Sequence, residues 1–84
     1  MKYQIVRTPR AEAALTRIYL ASSNRNAVTA SSQFFDDNLP LLPLHMGDAL
    51  DSSVHRVARR PPLLVEFYVI EDDKRVVVQG VFAV

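Results

Sequence analysis

The sequence predicts an α+β domain of two layers, in the order β-α-α-β-β-β, with a helical hairpin packed on an antiparallel sheet. Three observations lead there. Apolar residues recur at helical spacing after Thr8-Pro9, and the run Leu63–Ile70 alternates strictly on one face. A second, valine-rich run follows it after the short polar turn Glu71-Asp72-Asp73-Lys74. At 84 residues there is room for one domain, spanning 1–84. A chain of this size buries only roughly 60–65% of its unfolded surface. It has no cysteine to staple it, so it is the kind of small domain that gains stability from a partner.

The elements follow in order. Tyr3 to Arg7 alternates and reads as a strand. Thr8 can cap a helix, and Pro9 suits the first helical position, where no amide donor is needed. Ala11, Ala14, Leu15 and Ile18 then form one apolar stripe, which fades at Ser22-Ser23-Asn24. Asn24 or Asn26 can cap a second helix. Its stripe is Val28, Ser31, Phe34 or Phe35, and Asn38 or Leu39, and Pro40 ends it. The short polar joint between the two favours an antiparallel helical hairpin.

Residues 40–53 are punctuated by prolines and read as an irregular connection, with a turn at Gly47-Asp48 and leucines that fold back over the core. Val54 to Arg59 alternates loosely, and Pro61-Pro62 breaks the run. In Leu63–Ile70 the odd positions are all apolar and face the core, whereas Leu64, Glu66, Tyr68 and Ile70 form a mixed face. Val76 to Val84 is the last strand, rich in β-branched residues. With both helices on one side, the other face of the sheet is open, and a site is expected there.

Composition narrows the function classes. The net charge is +1 and charged residues make up 23%, so bulk charge does not announce a nucleic-acid binder. No run of about 18 apolar residues exists to cross a membrane, and the N-terminus lacks the apolar core of a signal peptide, so a cytoplasmic protein is expected. Charge is unevenly spread. Residues 36–51 hold four acids and no lysine or arginine, and the basic cluster His55, Arg56, Arg59 and Arg60 follows. That cluster is the candidate for target or nucleic-acid binding, by bidentate arginine contacts to phosphate and proton transfer at His55. On an extended strand His55 and Arg59 share one face and Arg56 takes the other, so the group cannot converge whole. The plainer reading is a charged edge strand that resists aggregation.

Leu64, Glu66, Tyr68 and Ile70 are the candidate partner-binding face, since tyrosine and leucine beside one carboxylate suit protein contact better than chemistry. His45 lies among leucines as a structural residue. The two histidines have no third ligand nearby, so neither a metal nor a cofactor is expected. Glycine occurs only at 47 and 80, which sets aside nucleotide-cradling loops.

Three stretches resemble the RelE/ParE group of small toxin-like proteins, and together they cover nearly the whole chain. They are YQIVRTPRAEAALTRIYL (Tyr3 to Leu20), the Leu-Pro step and glycine loop of Phe34 to Gly47, and the hairpin PPLLVEFYVIEDDKRVVVQGVF. The resemblance implies the toxin of a two-gene toxin–antitoxin pair, kept inactive by a cognate antitoxin wrapped over the fold. Some members cut messenger RNA on the ribosome and others inhibit DNA gyrase.

The departures bear on activity. The mRNA-cutting members carry an arginine early in the long hairpin strand, where this chain has Pro62-Leu63-Leu64-Val65. They also use arginine with tyrosine or histidine around the end of the last strand, where this chain has Gly80-Val81-Phe82-Ala83-Val84. Cleavage by 2′-hydroxyl attack needs a base, an acid and a cation near the developing charge, and that segment supplies none. The expectation leans away from catalysis, towards a toxin-like component that acts mainly by macromolecular binding. The alternatives are a ribosome-dependent endoribonuclease using His55, Arg56, Arg59 and Arg60, and a non-toxic homodimeric module.

Overall fold

The computed structural model describes residues 2–84. Strand β1 (Gln4–Arg7) leads into helix α1 (Pro9–Ala21) and helix α2 (Arg25–Asn38). A single 3-10 turn (Pro43–His45) follows, and then strands β2 (Asp48–Ser52), β3 (His55–Arg60), β4 (Leu63–Ile70) and β5 (Arg75–Ala83). The five strands form one sheet in the order β1-β5-β4-β3-β2.

The helices begin where local chemistry starts them. The Thr8 hydroxyl accepts from the amide of Ala11 at 3.1 Å, with Pro9 at the first helical position. Asn24, not Asn26, caps α2, its side-chain oxygen accepting from the Ala27 amide at 3.2 Å. Arg25 closes the end of α1 by donating to the carbonyls of Tyr19 and Leu20, two of the acceptors a helix end leaves unpaired. Thr8→Ala removes the α1 cap and is expected to lower unfolding free energy by about 1 kcal/mol, measured by urea denaturation.

Burial follows the alternation. Leu63, Val65, Phe67 and Val69 of β4 are buried, joined by Ala58 of β3 and by Val76, Val78 and Val81 of β5. Helix α1 presents the small residues Ala11 and Ala14 to the sheet, and α2 presents Val28 and Phe35, followed by its C-cap Leu39. Ser31, the buried polar residue of α2, donates its hydroxyl to the carbonyl of Arg60 and so satisfies itself. Phe35 and Leu39 resolve the second helix's ambiguous stripe. Phe34 lies beside the core and meets Phe35 edge-on, with ring centroids 5.6 Å apart.

The α+β layering agrees with the sequence reading, and β3, β4 and β5 form its antiparallel meander. Two features extend it. The sheet is mixed, because β1 lies parallel to β5 in the register Gln4 opposite Arg75 to Arg7 opposite Val78. A short strand, β2, also stands within the stretch read as an irregular connection. All five of its residues are exposed, so no apolar alternation marks it. Backbone pairing to β3 and the Arg56 guanidinium hold it. That side chain donates to the carbonyls of Met46 (2.9 Å), Gly47 (3.2 Å) and Ser53 (3.0 Å), bracketing β2 at both ends. No described helix is long and apolar enough to cross a membrane.

Candidate functional site

The sheet register sorts the candidate residues onto two faces. Phe67, opposite Arg56, and Leu63, opposite Arg60, face the helices. Tyr68 opposite His55, Glu66 opposite Val57 and Leu64 opposite Arg59 lie on the open face. Across β4, Phe82 stands opposite Leu64, Gly80 opposite Glu66, Val77 opposite Tyr68 and Arg75 opposite Ile70. Leu64, Glu66, Tyr68 and Ile70 therefore share one surface, and His55 and Arg59 join them.

The other two basic residues do not. Arg56 is committed to the three carbonyls around β2. Arg60 lies over the Phe34 ring with its guanidinium carbon 4.3 Å from the centroid. The basic quartet is thus divided two and two, as strand alternation requires.

The open face has an apolar part and a polar part. Val6, Ile70 and Phe82 are exposed large apolar residues, and Leu64, Tyr68 and Val77 are half-buried among them. The polar part centres on His55. Its Nδ1 lies 2.6 Å from Asp51 Oδ1, and its Nε2 lies 2.5 Å from Glu66 Oε2. The imidazole stacks flat on Tyr68, with centroids 4.1 Å apart and planes 5° from parallel. Hydrogen bonds to Glu66 and Asp51 hold the imidazole pKa above its ordinary value, while the bond from His55 holds the Asp51 carboxyl below its own.

This arrangement limits the chemistry. Both ring nitrogens of His55 already have carboxylate partners, so neither is free to exchange a proton with a substrate. With the ring charged, two carboxylates and one imidazolium sum to one negative charge, which repels phosphate. Arg59 and, at the other end of this face, Arg75 are the cations that remain, and neither makes an ion pair among the described residues. Among the described residues, no group of three His, Cys, Asp or Glu side chains is placed to hold a metal.

Sequence reasoning named His55 and Glu66 separately, on different grounds, and did not single out Asp51. Asp51 and His55 stand four apart across the β2–β3 turn, a spacing that carries no meaning until the turn and the register are known. On the helical side, a groove of about 280 Å³ runs between α1 and α2, lined by Leu15, Tyr19, Val28 and Ser32 among others.

No family profile and no curated protein matches the sequence. Solved structures do match it. The fold aligns with a chain of the toxin–antitoxin complex RelBE2 from Mycobacterium tuberculosis at a TM-score of 0.81 and 21% identity, covering 100% of both chains. It also aligns with a chain of the chromosomal ParDE toxin–antitoxin system from P. aeruginosa at a TM-score of 0.65 and 17% identity, covering 99% of this chain and 97% of that one. The RelE/ParE resemblance in the sequence is matched by the architecture along essentially the whole chain.

Proposed function

From a chain with the RelE/ParE-type fold, we propose a toxin-type component of a toxin–antitoxin pair. It binds a macromolecular target through the open sheet face and is held inactive by a partner antitoxin. The observation that carries the binding half of this reading is the composition of that face. It joins exposed Val6, Ile70 and Phe82 to a closed, net-negative histidine cluster. Apolar and aromatic area with few charges is the composition of protein interface cores, whereas RNA cleavage needs free acid, base and cationic groups. The partner half rests on the shared fold: both structural neighbours come from toxin–antitoxin assemblies.

Controlled expression in a bacterial host tests it. Induction should arrest growth, co-expression of an adjacent antitoxin reading frame should restore it, and mRNA 5′ ends should show no new cuts. The double variant Ile70→Asp/Phe82→Asp puts charge on two exposed apolar positions and should leave the fold intact. It should weaken target binding by about 2 kcal/mol or more, roughly thirtyfold in affinity, and relieve the arrest. New mRNA cuts on induction would instead favour the endoribonuclease alternative, for which His55 and Arg59 are the members of the basic cluster on the open face. A culture unaffected by induction would favour a non-toxic interaction module.

A further inference from the structure

Independently of that reading, we propose that Asp51, His55 and Glu66 form a proton-dependent latch that fastens the edge strand β2 across β3 onto β4. The argument starts from the number of donors. A neutral imidazole carries one N–H, and an imidazolium carries two. Both ring nitrogens of His55 lie within 2.6 Å of a carboxylate oxygen. Only the imidazolium satisfies both contacts. In the neutral ring one nitrogen lone pair would face a carboxylate oxygen at that distance, and the contact would open.

The groups around the ring show which contact gives way. On β2 stand Asp51 and, opposite Val57, Asp48. On β3, Arg59 shares the ring's face. On β4 are Glu66 and the stacked Tyr68, and β5 presents the uncharged Gly80 opposite Glu66. Glu66 is the more enclosed carboxylate, with its side chain 30% exposed against 79% for Asp51. Stacking on Tyr68 also keeps the ring beside Glu66. Asp51 therefore lets go into water.

Asp51 sits where β2 is least secured. The register between β2 and β3 shifts between Ala49 and Ser52, so Leu50 and Asp51 have no paired residue on β3. Arg56 grips the carbonyls before and after β2 but none within it. The Asp51–His55 contact is thus the tie at the bulge, and losing the His55 proton frees Leu50–Ser52 while Asp48 and Ala49 stay paired with β3.

The pH window follows from the two shifts. The His55 pKa is raised in the folded chain, so the latch's stabilisation is complete below the unfolded imidazole pKa of about 6.5 and is lost as pH rises through the folded value. The Asp51 pKa is lowered, so its contribution persists down to acid pH and is lost only as pH falls through that depressed value. The latch is closed between the two and opens as pH rises through the raised His55 value.

The test is NMR on the full chain. The His55 ring is titrated in the folded protein and in urea, and amide exchange at Leu50–Ser52 is followed over the same pH range, corrected for intrinsic rates. The folded midpoint should lie above the unfolded one. Protection at Leu50–Ser52 should fall with that same midpoint, by no more than tenfold for each pH unit separating the two. Asp51→Asn, at an exposed position, should lower the midpoint and abolish the pH dependence of protection while global unfolding stays cooperative. Glu66→Gln should lower the midpoint as well. A folded midpoint at or below the unfolded one overturns the latch. So does protection at Leu50–Ser52 that passes through the His55 midpoint unchanged.

Discussion

Phe67→Ala should come close to unfolding the protein. Phe67 lies on β4, the middle strand of the sheet, faces the helices and has no exposed surface. Truncating a buried phenylalanine costs about 3–5 kcal/mol through lost transfer energy and the cavity left behind. A domain of 84 residues has a total stability of roughly 4–13 kcal/mol at ~0.05–0.15 kcal/mol per residue. The substitution therefore removes a large share of the total. Urea denaturation followed by circular dichroism should show a sharply lowered midpoint with cooperativity retained. The control is the next residue, Tyr68, on the open face. Tyr68→Ala loses a half-buried ring and its stack on His55, so it should cost markedly less. Equal costs at 67 and 68 would contradict the two-faced strand on which every site assignment rests.

The second large effect is expected from the smallest side chain. Gly47 has φ of +65°, and a Cβ built there would fall 2.0 Å from the Val57 carbonyl oxygen. The obstacle is backbone, so no rotamer change relieves it. Left-handed strain of about 1–2 kcal/mol and overpacking of about 1–3 kcal/mol together put Gly47→Ala at about 2–5 kcal/mol. The damage should be local first. Amide exchange should report loss of the Asp48–Val57 pairing and release of β2, with β4 and β5 still protected. Gly80→Ala gives a useful contrast. There the tightest neighbour is Phe82 Cε2 at 2.8 Å, on a ring already exposed to solvent and able to swing away, so the cost should be smaller. A Gly47→Ala protein as stable as the parent, with β2 intact, would mean that the turn into β2 is not built as described.

Legibility in the sequence tracked the strength of local signals. Helix α1 was readable because Thr8-Pro9 starts it and Ala11, Ala14, Leu15 and Ile18 keep one face apolar. Strand β4 was readable because its odd positions are uniformly apolar. Strand β2 was not, since its residues are held by backbone pairing and by Arg56, which leaves no hydrophobic pattern. In β5 the inward positions change parity, from Val76 and Val78 to Val81, because the register skips one residue at Gln79. Simple alternation would have turned Val81 outward.

The parallel pairing of β1 with β5 joins residues about seventy apart, which no local pattern encodes. At the site, alternation alone separated Arg56 from His55 and Arg59. Bringing Asp51 and Glu66 to opposite sides of one imidazole needed the register of three strands at once.

That first strand carries a consequence for how the molecule is made. β1 is bonded to the final strand on both flanks, from the Gln4 amide to the Lys74 carbonyl at 2.8 Å and from the Thr8 amide to the Val78 carbonyl at 3.0 Å. During synthesis β1 has no strand to pair with until β5, about seventy residues later, has emerged, and closing so long a loop is a slow, late step. A nascent polypeptide that still lacks β5 therefore exposes the inner side of its helices and the bare rim of an unfinished sheet. Whatever the finished surface engages, it becomes available only once β5 has been made and paired.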